Sequence, residues 1–328
     1  AAPLTTCRLA DAGARVIKIE REGSGDFARQ YDAMVLGNST YFTWVNRGNE
    51  SLELDVKDRE SIELLYRILA KADVFVQNLG HGAAERLGLG STTLAEKFPH
   101  LITMDISGYG ESGPKASLAA YDLLVQSESG ICVASGLPGK PTRVGLFVVD
   151  IATGMNAFGA ITQALYARER NGGKGCSLKT SLFGTASEMM TVPYLQQSYT
   201  KNAPTNVGLA HPSIVPYRAY ACSDGKEVLL AVQNEREWVR LCELALELPQ
   251  LAIDPRFCGS FERMSNRHEL DDLISTVSKN FSRDEWMSKL QKAKVGCAAV
   301  NTVEDLVSHP QLRVATQPTH AGDAVVIA

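Results

Sequence analysis

Residues 144–170 read VGLFVVDIATGMNAFGAITQALYARER, a long amphipathic pattern with an acid at its start. Apolar side chains recur about every 3.6 residues from Asp150 to Arg170, which predicts a helix, and NGGKG at 171–175 is a stop signal. The apolar run 146–149 predicts a strand before it. An acid at the first position of a helix is commonly a cap, but a carboxylate there also suits a nucleophile. These residues alone leave both interpretations open.

The chain before this helix alternates short strand patterns with helical patterns. Buried parallel strands are nearly continuously apolar, and 73–79 is of this kind. This βαβ rhythm predicts a Rossmann-like, doubly wound α/β domain over residues 1–199, with ligand loops at the strand ends. The strand patterns are 15–20, 51–57, 73–79 and 101–110, and helical patterns follow from Asp58 and at 92–98.

The second half changes in texture. Residues 200–216 are rich in Pro, Gly and Asn without periodicity, which predicts a linker. A hairpin hinged on Asp224-Gly225 and three helical patterns then predict a small α+β domain over 217–300. We expect 301–328 to be a linker that returns to the first domain. The chain starts inside a helical pattern and without Met, so we expect further residues before its first position and after its last.

Composition narrows the class of partner and the compartment. With 33 basic and 37 acidic residues, the net charge of −4 gives no reason to expect nucleic acid or an anionic membrane as partner. No apolar run approaches the ~20 residues that span a bilayer. The seven cysteines are dispersed without metal spacing. They are typical of free thiols in a reducing compartment, either the cytoplasm or an organelle matrix.

Signatures of several other enzyme classes are missing. GxGxxG does not follow the early strands, and Gly23-Ser24-Gly25 is typical of an ordinary loop, so a nicotinamide oxidoreductase is disfavoured. GxSxG, HExxH and the P-loop are also absent. Among the six histidines, His211 is the best functional candidate, because it lies in the predicted linker and linkers often line clefts.

Several joined motifs resemble the family III CoA-transferases, the CaiB/BaiF family. The resemblance covers nearly the whole chain, and GLAHPSIVPY and VQNEREW resemble the branch acting on short dicarboxylates. It implies a homodimer of two interlocked rings. The motifs are LADAGARVIKIEREGSGDFAR, NRGNESLELDVKD, ADVFVQNLGHGAAERLGLG, LITMDISGYGESGP, AYDLLVQSESG and VVDIATGMNAFGAITQALYARERNGGKG.

The resemblance implies that Asp150 is the nucleophile. Its carboxylate would attack a donor acyl-CoA, expected to be succinyl-CoA or another short dicarboxylyl-CoA. It would then carry CoA as an aspartyl thioester to a short dicarboxylate such as itaconate or mesaconate. Coenzyme A is then a substrate, and neither a cofactor nor a metal is needed. Transfer between two carboxylates of one molecule is an alternative outcome of the same chemistry.

The resemblance also assigns a coenzyme A site to loops after the strands. Phosphates are bound by guanidinium groups and free backbone N–H groups. Leu79 and His81 replace residues of the usual FRPG or FGPG, and Asn49 replaces a lysine, so contacts there are expected to differ. The implied residues are Arg21, Leu54, Asp55, Val56, Lys57, Asn78, Leu79, Gly80, Arg86, Gly108 and Tyr109.

Substrate contacts are expected from Arg143, His211 and Tyr121. Arg143 would hold the carboxylate that does not react, with His211 as a second donor. A sister branch, the α-methylacyl-CoA racemases, has a histidine where this chain has Tyr121. Tyrosine, with a pKa near ~10, is a poor base at neutral pH, so CoA transfer is favoured over racemisation. A non-catalytic CoA-binding protein is a further alternative.

Overall fold

Short strands and helices alternate through the first half of the chain. The computed structural model describes residues 1–137, 139–201 and 208–327. The elements of this half are α1 (Ala2–Asp11), β1 (Val16–Glu20), α2 (Thr40–Val45), β2 (Asn49–Glu53), α3 (Arg59–Leu69), β3 (Val74–Gln77), α4 (Ala83–Arg86), α5 (Ser91–Lys97), β4 (Ile102–Ser107), α6 (Asp122–Glu128), α7 (Ile131–Ala134), α8 (Val148–Arg170), β5 (Ser177–Ser181), α9 (Leu182–Met189) and α10 (Thr191–Thr200).

The remaining elements are shorter and more mixed. A π-helical turn, Leu241–Ala245, continues the helix Glu235–Arg240. Turns of 3-10 helix cover Pro249–Ala252 in this half and Phe27–Gln30 in the first half. The elements are β6 (Tyr217–Ala221), β7 (Glu227–Ala231), α11 (Glu235–Arg240), α12 (Ser260–Ser265), α13 (Arg267–Ser278), α14 (Arg283–Lys292), β8 (Gly296–Ala299), α15 (Val303–Val307), β9 (Val314–Thr319) and β10 (Gly322–Ile327).

The chain divides into two compact units. Unit 1 contains 1–135, 141–203 and 313–328, and unit 2 contains 136–140 and 204–312. Within the predicted linker, residues 202–207 lie outside the described residues. The segment expected as a return linker instead contains α15 and the antiparallel hairpin β9–β10. This hairpin belongs to unit 1, where the Gln317 side chain donates a hydrogen bond to the carbonyl of Thr43 at 3.2 Å.

Helices cover both faces of the parallel strands in unit 1. Side chains alternate along β3, so that Val74 and Val76 pack with Met104 on the side of α1 and α8. Phe75 packs on the opposite side, in the cluster of Leu65 from α3. The doubly wound α/β arrangement is confirmed. The strands form two hydrogen-bonded groups, β1–β2 and β3–β4–β5, and all neighbours within them are parallel.

Two strand predictions differ from the structure, one at its end and one altogether. Strand β2 stops at Glu53, because the Asp55 carboxylate accepts the N–H of Lys57 at 2.9 Å and turns the chain toward α3. Residues 146–149 form no strand. Helix α8 already begins at Val148, and the backbone before it hydrogen-bonds to side chains of α6 rather than to another strand.

Unit 2 has an antiparallel sheet, β6–β7–β8, covered by helices. The predicted hairpin at Asp224-Gly225 is confirmed, since Gly225 adopts a positive φ of 74° between β6 and β7. Trp238 and Trp286 are fully buried in the core that the helices form against this sheet. Among the helices described in either unit, none combines the length and hydrophobicity needed to cross a membrane.

The loop after β1 is anchored by a buried carboxylate. Glu20, whose side chain is 1% exposed, accepts two hydrogen bonds from Arg29 at 2.8 and 2.7 Å. It also accepts the Asp26 N–H and the Ser51 hydroxyl, each at 2.8 Å. The Arg29 hydrogen bond above all, outweighing burial, lowers the pKa of Glu20 to about 2. These bonds fix the loop that carries Arg21.

Replacing Glu20 with Gln should loosen this loop. Removing the charge leaves Arg29 without its carboxylate. Because Arg29 is 40% exposed to solvent, the loss is limited, and we expect local stability to fall by about 2 kcal/mol at pH 7. The folded pKa lies below the ordinary 4.5, so this contribution is complete above pH 4.5 and is lost as pH falls toward 2. Hydrogen exchange of amides 25–31, corrected for intrinsic rates, measures both effects.

Glu50→Gln is the matched control, because Glu50 pairs with Arg15 at 2.8 Å on the surface, where both side chains are more than half exposed. It should leave exchange of the loop amides unchanged. Equal loosening by both substitutions would contradict an anchoring role for Glu20.

Candidate active site

A cleft of about 2950 Å³ opens in unit 1 beside the start of α8. It also runs between the two groups of parallel strands to the loops that precede β1 and β3. Only part of this volume, which exceeds the ~300–1,000 Å³ of an ordinary small-molecule pocket, therefore lies beside Asp150. Asp150 and Tyr121 lie on its wall, and they come from different helices. The cleft is bordered by loops at the carboxyl ends of the parallel strands, where open α/β sheets bind ligands.

Asp150 is the third residue of α8 rather than its cap. The cap position is Phe147, which offers no side-chain hydrogen bond to the helix. The Asp150 side chain is 33% exposed, and its Oδ1 lies 2.8 Å from the backbone nitrogen of Ala1. The partial positive charge of a helix N-terminus attracts a carboxylate at this position. Asp150 is therefore accessible from the cleft and does not close its own helix.

A glycine in α8 allows α1 to approach the Asp150 end of the helix. A Cβ on Gly154 would lie 2.8 Å from the carbonyl oxygen of Ala1 and 3.2 Å from Leu4 Cβ. The Thr5 hydroxyl donates to the Gly154 carbonyl at 3.0 Å. Any larger residue at this position would push the two helices apart.

The N-terminus of α8 is capped from another helix. Asp122, the first residue of α6, accepts the N–H of Val149 at 2.9 Å and that of Asp150 at 3.0 Å. Gln126, one turn further along α6, donates to Asp122 at 2.5 Å. Sequence reasoning missed both residues. The available signal was an acid and a glutamine spaced four apart at the start of a helix, a spacing that brings them together on one face.

A row of aromatic rings leads along the cleft to Asp150. The ring centroids of Phe27 and Tyr31 are 5.8 Å apart, those of Tyr31 and Tyr41 are 5.5 Å apart, and those of Tyr41 and Phe147 are 5.4 Å apart. Partial burial, with a smaller contribution from nearby acids that include Asp150, raises the pKa of Tyr31. Its hydroxyl therefore remains a hydrogen-bond donor at neutral pH. The sequence analysis did not identify this row.

Most of the predicted coenzyme A residues line this same cleft. They lie in the loops that follow β1 to β4, namely Arg21, Leu54–Lys57, Asn78–Gly80 and Gly108. The side chain of Gln77 holds the loop at 78–80 in place. Gln77 accepts the N–H of Leu79 at 2.7 Å and donates to the buried Asp105 at 2.9 Å. The structure thus brings these dispersed residues together, while their roles stay predictions.

Two predicted coenzyme A residues do not reach the cleft wall. Arg86 folds back on its own loop, with Nη1 3.5 Å from the carbonyl of His81. The Tyr109 ring packs against Phe183 at 5.8 Å, and a hydrogen bond with Glu128 raises the pKa of its hydroxyl. The loop containing Tyr109 lies beside the cleft as expected, but its ring is turned toward the helices.

The predicted substrate residues are also separated. Tyr121 lies on the cleft wall and is 65% exposed. Arg143 is exposed off that wall and donates to the carbonyl of Gly145 at 3.0 Å. His211 belongs to unit 2, where its ring stacks on Tyr217 at 5.3 Å. Of the three, only Tyr121 shares the cleft with Asp150 in unit 1.

Gly108 permits the close approach that positions Tyr121. A Cβ on Gly108 would lie 2.3 Å from Ala120 Cβ, a distance that no pair of non-bonded carbon atoms tolerates. The carbonyl of Gly108 accepts the N–H of Phe183 at 2.9 Å, so this backbone is also held from the other side. Within the described ranges, no group of three or more His, Cys, Asp or Glu side chains is arranged to hold a metal ion.

Comparison with known families identifies relatives of the whole chain. The model of CoA-transferase family III matches residues 1–322. The acetyl-CoA:oxalate CoA-transferase of Acetobacter aceti is 36% identical over 311 residues, covering 94% of this chain and 79% of that protein. The succinyl-CoA:mesaconate CoA-transferase of Haloarcula hispanica is 34% identical over 325 residues, covering 95% and 80%. The human succinyl-CoA:glutarate CoA-transferase is 31% identical over 316 residues, covering 95% and 71%.

Solved structures agree. A CAIB/BAIF family protein from Brucella suis superposes with a TM-score of 0.81 at 33% identity, covering 94% of this chain and 82% of that one. Rv3272 from M. tuberculosis gives a TM-score of 0.87 at 28% identity, covering 99% and 87%. The resemblance noted in the sequence is therefore confirmed, and so is the fold it implies.

Gly108→Ala should disturb the site by forcing Ala120 and its neighbour Tyr121 away from β4. We expect a loss of about 1–3 kcal/mol of stability in unit 1. Gly159→Ala is the matched control, since nothing lies within 4 Å of a Cβ there and alanine favours a helix interior by up to about 1 kcal/mol. Thermal unfolding of both variants measures the difference. If Gly108→Ala is as stable as Gly159→Ala, the close packing at Gly108 is not a constraint.

Proposed function

The chain belongs to CoA-transferase family III, and on that premise we propose that it moves CoA from a short acyl-CoA to a short dicarboxylate. The donor would be succinyl-CoA or another dicarboxylyl-CoA, and the acceptor an acid such as mesaconate or itaconate. The acids named for its relatives support this class, because they include oxalate, mesaconate and glutarate.

One observation carries the proposed mechanism. Asp150 is a partly exposed carboxylate at a helix N-terminus, on the wall of a cleft that the predicted coenzyme A loops also line. A nucleophilic carboxylate needs access to the thioester and a fixed backbone, and Asp150 has both. Its side chain is one-third exposed, and its N–H is bonded to Asp122.

The proposed chemistry proceeds through acyl exchange. An oxygen of Asp150 attacks the donor thioester carbonyl and expels CoA thiolate, which forms a mixed anhydride. The thiolate then attacks the aspartyl carbonyl, which releases the donor carboxylate and leaves an aspartyl-CoA thioester. The acceptor carboxylate attacks that thioester and expels the thiolate again. A final attack by the thiolate on the acceptor carbonyl releases the new acyl-CoA and restores the Asp150 carboxylate.

Water must be excluded, because it would hydrolyse the anhydride and the aspartyl thioester. The aromatic row supports this requirement, since Tyr41 and Phe147 place apolar ring surface next to Asp150. The Tyr31 and Tyr121 hydroxyls add hydrogen-bond donors to the same wall. A carboxylate substrate would find both an apolar cover and polar partners there. The homodimer, and the independence from any other cofactor, stay predictions alongside this mechanism.

Asp150→Asn should abolish exchange between an acyl-CoA and a free acid, by at least three orders of magnitude, because an amide cannot form the anhydride. Coenzyme A affinity should stay within threefold. Mass spectrometry of the wild-type protein mixed with succinyl-CoA should detect a hydroxylamine-cleavable CoA adduct on Asp150. Glu169→Gln, an exposed acid at the far end of α8, is the control and should transfer normally. Near-full exchange by Asp150→Asn rules out the mechanism.

Arg143 is proposed to hold the carboxylate that does not react. This requires its guanidinium to leave the Gly145 carbonyl when the acid binds, which is a modest cost for an exposed contact. Arg143→Ala should then raise KM for dicarboxylate acceptors about 30–100-fold more than for monocarboxylates, equivalent to roughly 2–3 kcal/mol. Steady-state kinetics with paired acids measures this ratio. Equal effects on both classes would leave Arg143 without a role in specificity.

A further inference from the structure

We propose that Gln126, acting through Asp122, is a positioning residue that holds the Asp150 backbone in register for attack. This inference rests on the proposed transferase function and goes beyond it, because Gln126 touches neither Asp150 nor the cleft. It assigns a role in the reaction to a buried amide on a different helix from the nucleophile.

The start of α8 depends on groups outside the helix. The first N–H groups of any helix have no partner within it, and Phe147 supplies none from its side chain. A single oxygen of Asp122 accepts the N–H groups of Val149 and Asp150. The orientation of the Asp122 carboxylate therefore sets where the backbone of Asp150 lies.

Gln126 fixes that orientation. Its side-chain nitrogen donates to the other Asp122 oxygen at 2.5 Å and to the carbonyl of Leu146 at 3.2 Å, and its oxygen accepts the N–H of Val144 at 3.0 Å. If the Gln126 side-chain amide were rotated by 180°, its oxygen would face the oxygens of Asp122 and Leu146. Its nitrogen would face the N–H of Val144. Gln126 is 1% exposed, so water cannot compensate for such a mismatch.

The network thus spans the segment that leads into the nucleophile. Val144 and Leu146 are held directly by Gln126, and Val149 and Asp150 are held through Asp122. A misplacement of about 1 Å at a reacting group can cost 100-fold in rate. The network should therefore act on the rate of covalent bond formation and leave the affinity for coenzyme A largely unchanged.

A polarity swap tests this role. In Gln126→Glu, a carboxylate would face Asp122 and the Leu146 carbonyl, and we expect the single-turnover rate of aspartyl-CoA formation to fall about 100-fold. In Asp122→Asn, the new amide nitrogen would face the Gln126 nitrogen, and we expect a fall of about 10–30-fold. In the double variant, Asn at 122 donates to Glu at 126 while its oxygen still accepts the helix N–H groups, and only the contact with the Leu146 carbonyl stays mismatched, so the rescue is partial. Its rate should recover to within about tenfold of wild type.

Coenzyme A affinity, measured by calorimetry, should stay within threefold in every variant. Ser127→Ala is the control, because the Ser127 hydroxyl contacts only groups outside the network, the carbonyl of Leu123 and the sulfur of Cys132, and its rate should match wild type. The proposal is overturned if Gln126→Glu reacts within threefold of wild type. It is equally overturned if the double variant is no faster than the slower single variant.

Hydrogen exchange separates this proposal from the transferase proposal. The amides of Val149 and Asp150 should exchange slowly in wild type, at least tenfold faster in Gln126→Glu, and slowly again in the double variant. If wild type forms no aspartyl-CoA, the transferase mechanism fails, and with it the catalytic purpose of the network. The exchange pattern would still report whether Gln126 holds the helix start. Unprotected amides in wild type would refute the positioning itself.

Discussion

The hydrogen bonds that Asp122 accepts from the N–H groups at the start of α8 determine where the candidate nucleophile lies. Helix α8 is the longest of the described helices, and it packs against α1, α6, α9 and the strands β4 and β5. Its N-terminus has no cap of its own, so the carboxylate from α6 decides at which residue the helix begins. Because Asp122 already accepts the N–H groups of Val149 and Asp150, the Asp150 carboxylate is not needed to cap the helix and stays accessible.

The rest of unit 1 brings the predicted coenzyme A loops to the same cleft as Asp150. Parallel strands end at one edge, so the loops after β1 to β4 meet on a single cleft wall. Glu20 fixes the first of these loops through its hydrogen bonds with Arg29, and Gln77 fixes the third through the N–H of Leu79. The cleft therefore depends on a few buried polar groups whose partners are distant in sequence.

The sequence predicts the elements whose signals are local. The period of 3.6 in α8, the apolar strand β3 and the turn at Asp224-Gly225 were all confirmed, since each depends on neighbouring residues. The strand expected at 146–149 was wrong, because its backbone is bonded to Gln126, about 20 residues away. A pattern of apolar residues carries no information about such a partner.

Side-chain direction was likewise beyond the sequence. The resemblance implies a coenzyme A contact from the loop of Tyr109, whose neighbours Gly108 and Gly110 line the cleft, but packing against Phe183 turns the Tyr109 ring elsewhere. The row from Phe27 to Phe147 joins rings separated by more than 100 residues, and no local motif marks it. The sequence therefore predicts which loops meet at the cleft, because the backbone decides that, but it does not predict side-chain directions that long-range packing decides.

Transfer of an oxygen isotope tests the central claim, the covalent use of Asp150, most directly. The protein is turned over with unlabelled succinyl-CoA and a dicarboxylate that carries ¹⁸O in both carboxylates, and the peptide containing Asp150 is then analysed by mass spectrometry. In the proposed sequence, the oxygen that attacks the aspartyl thioester remains on Asp150 when the new acyl-CoA leaves. Each turnover exchanges one oxygen of Asp150, so Asp150 should carry one ¹⁸O after the first turnover and approach two after many. Rapid formation of the new acyl-CoA with no label on Asp150 would contradict the account.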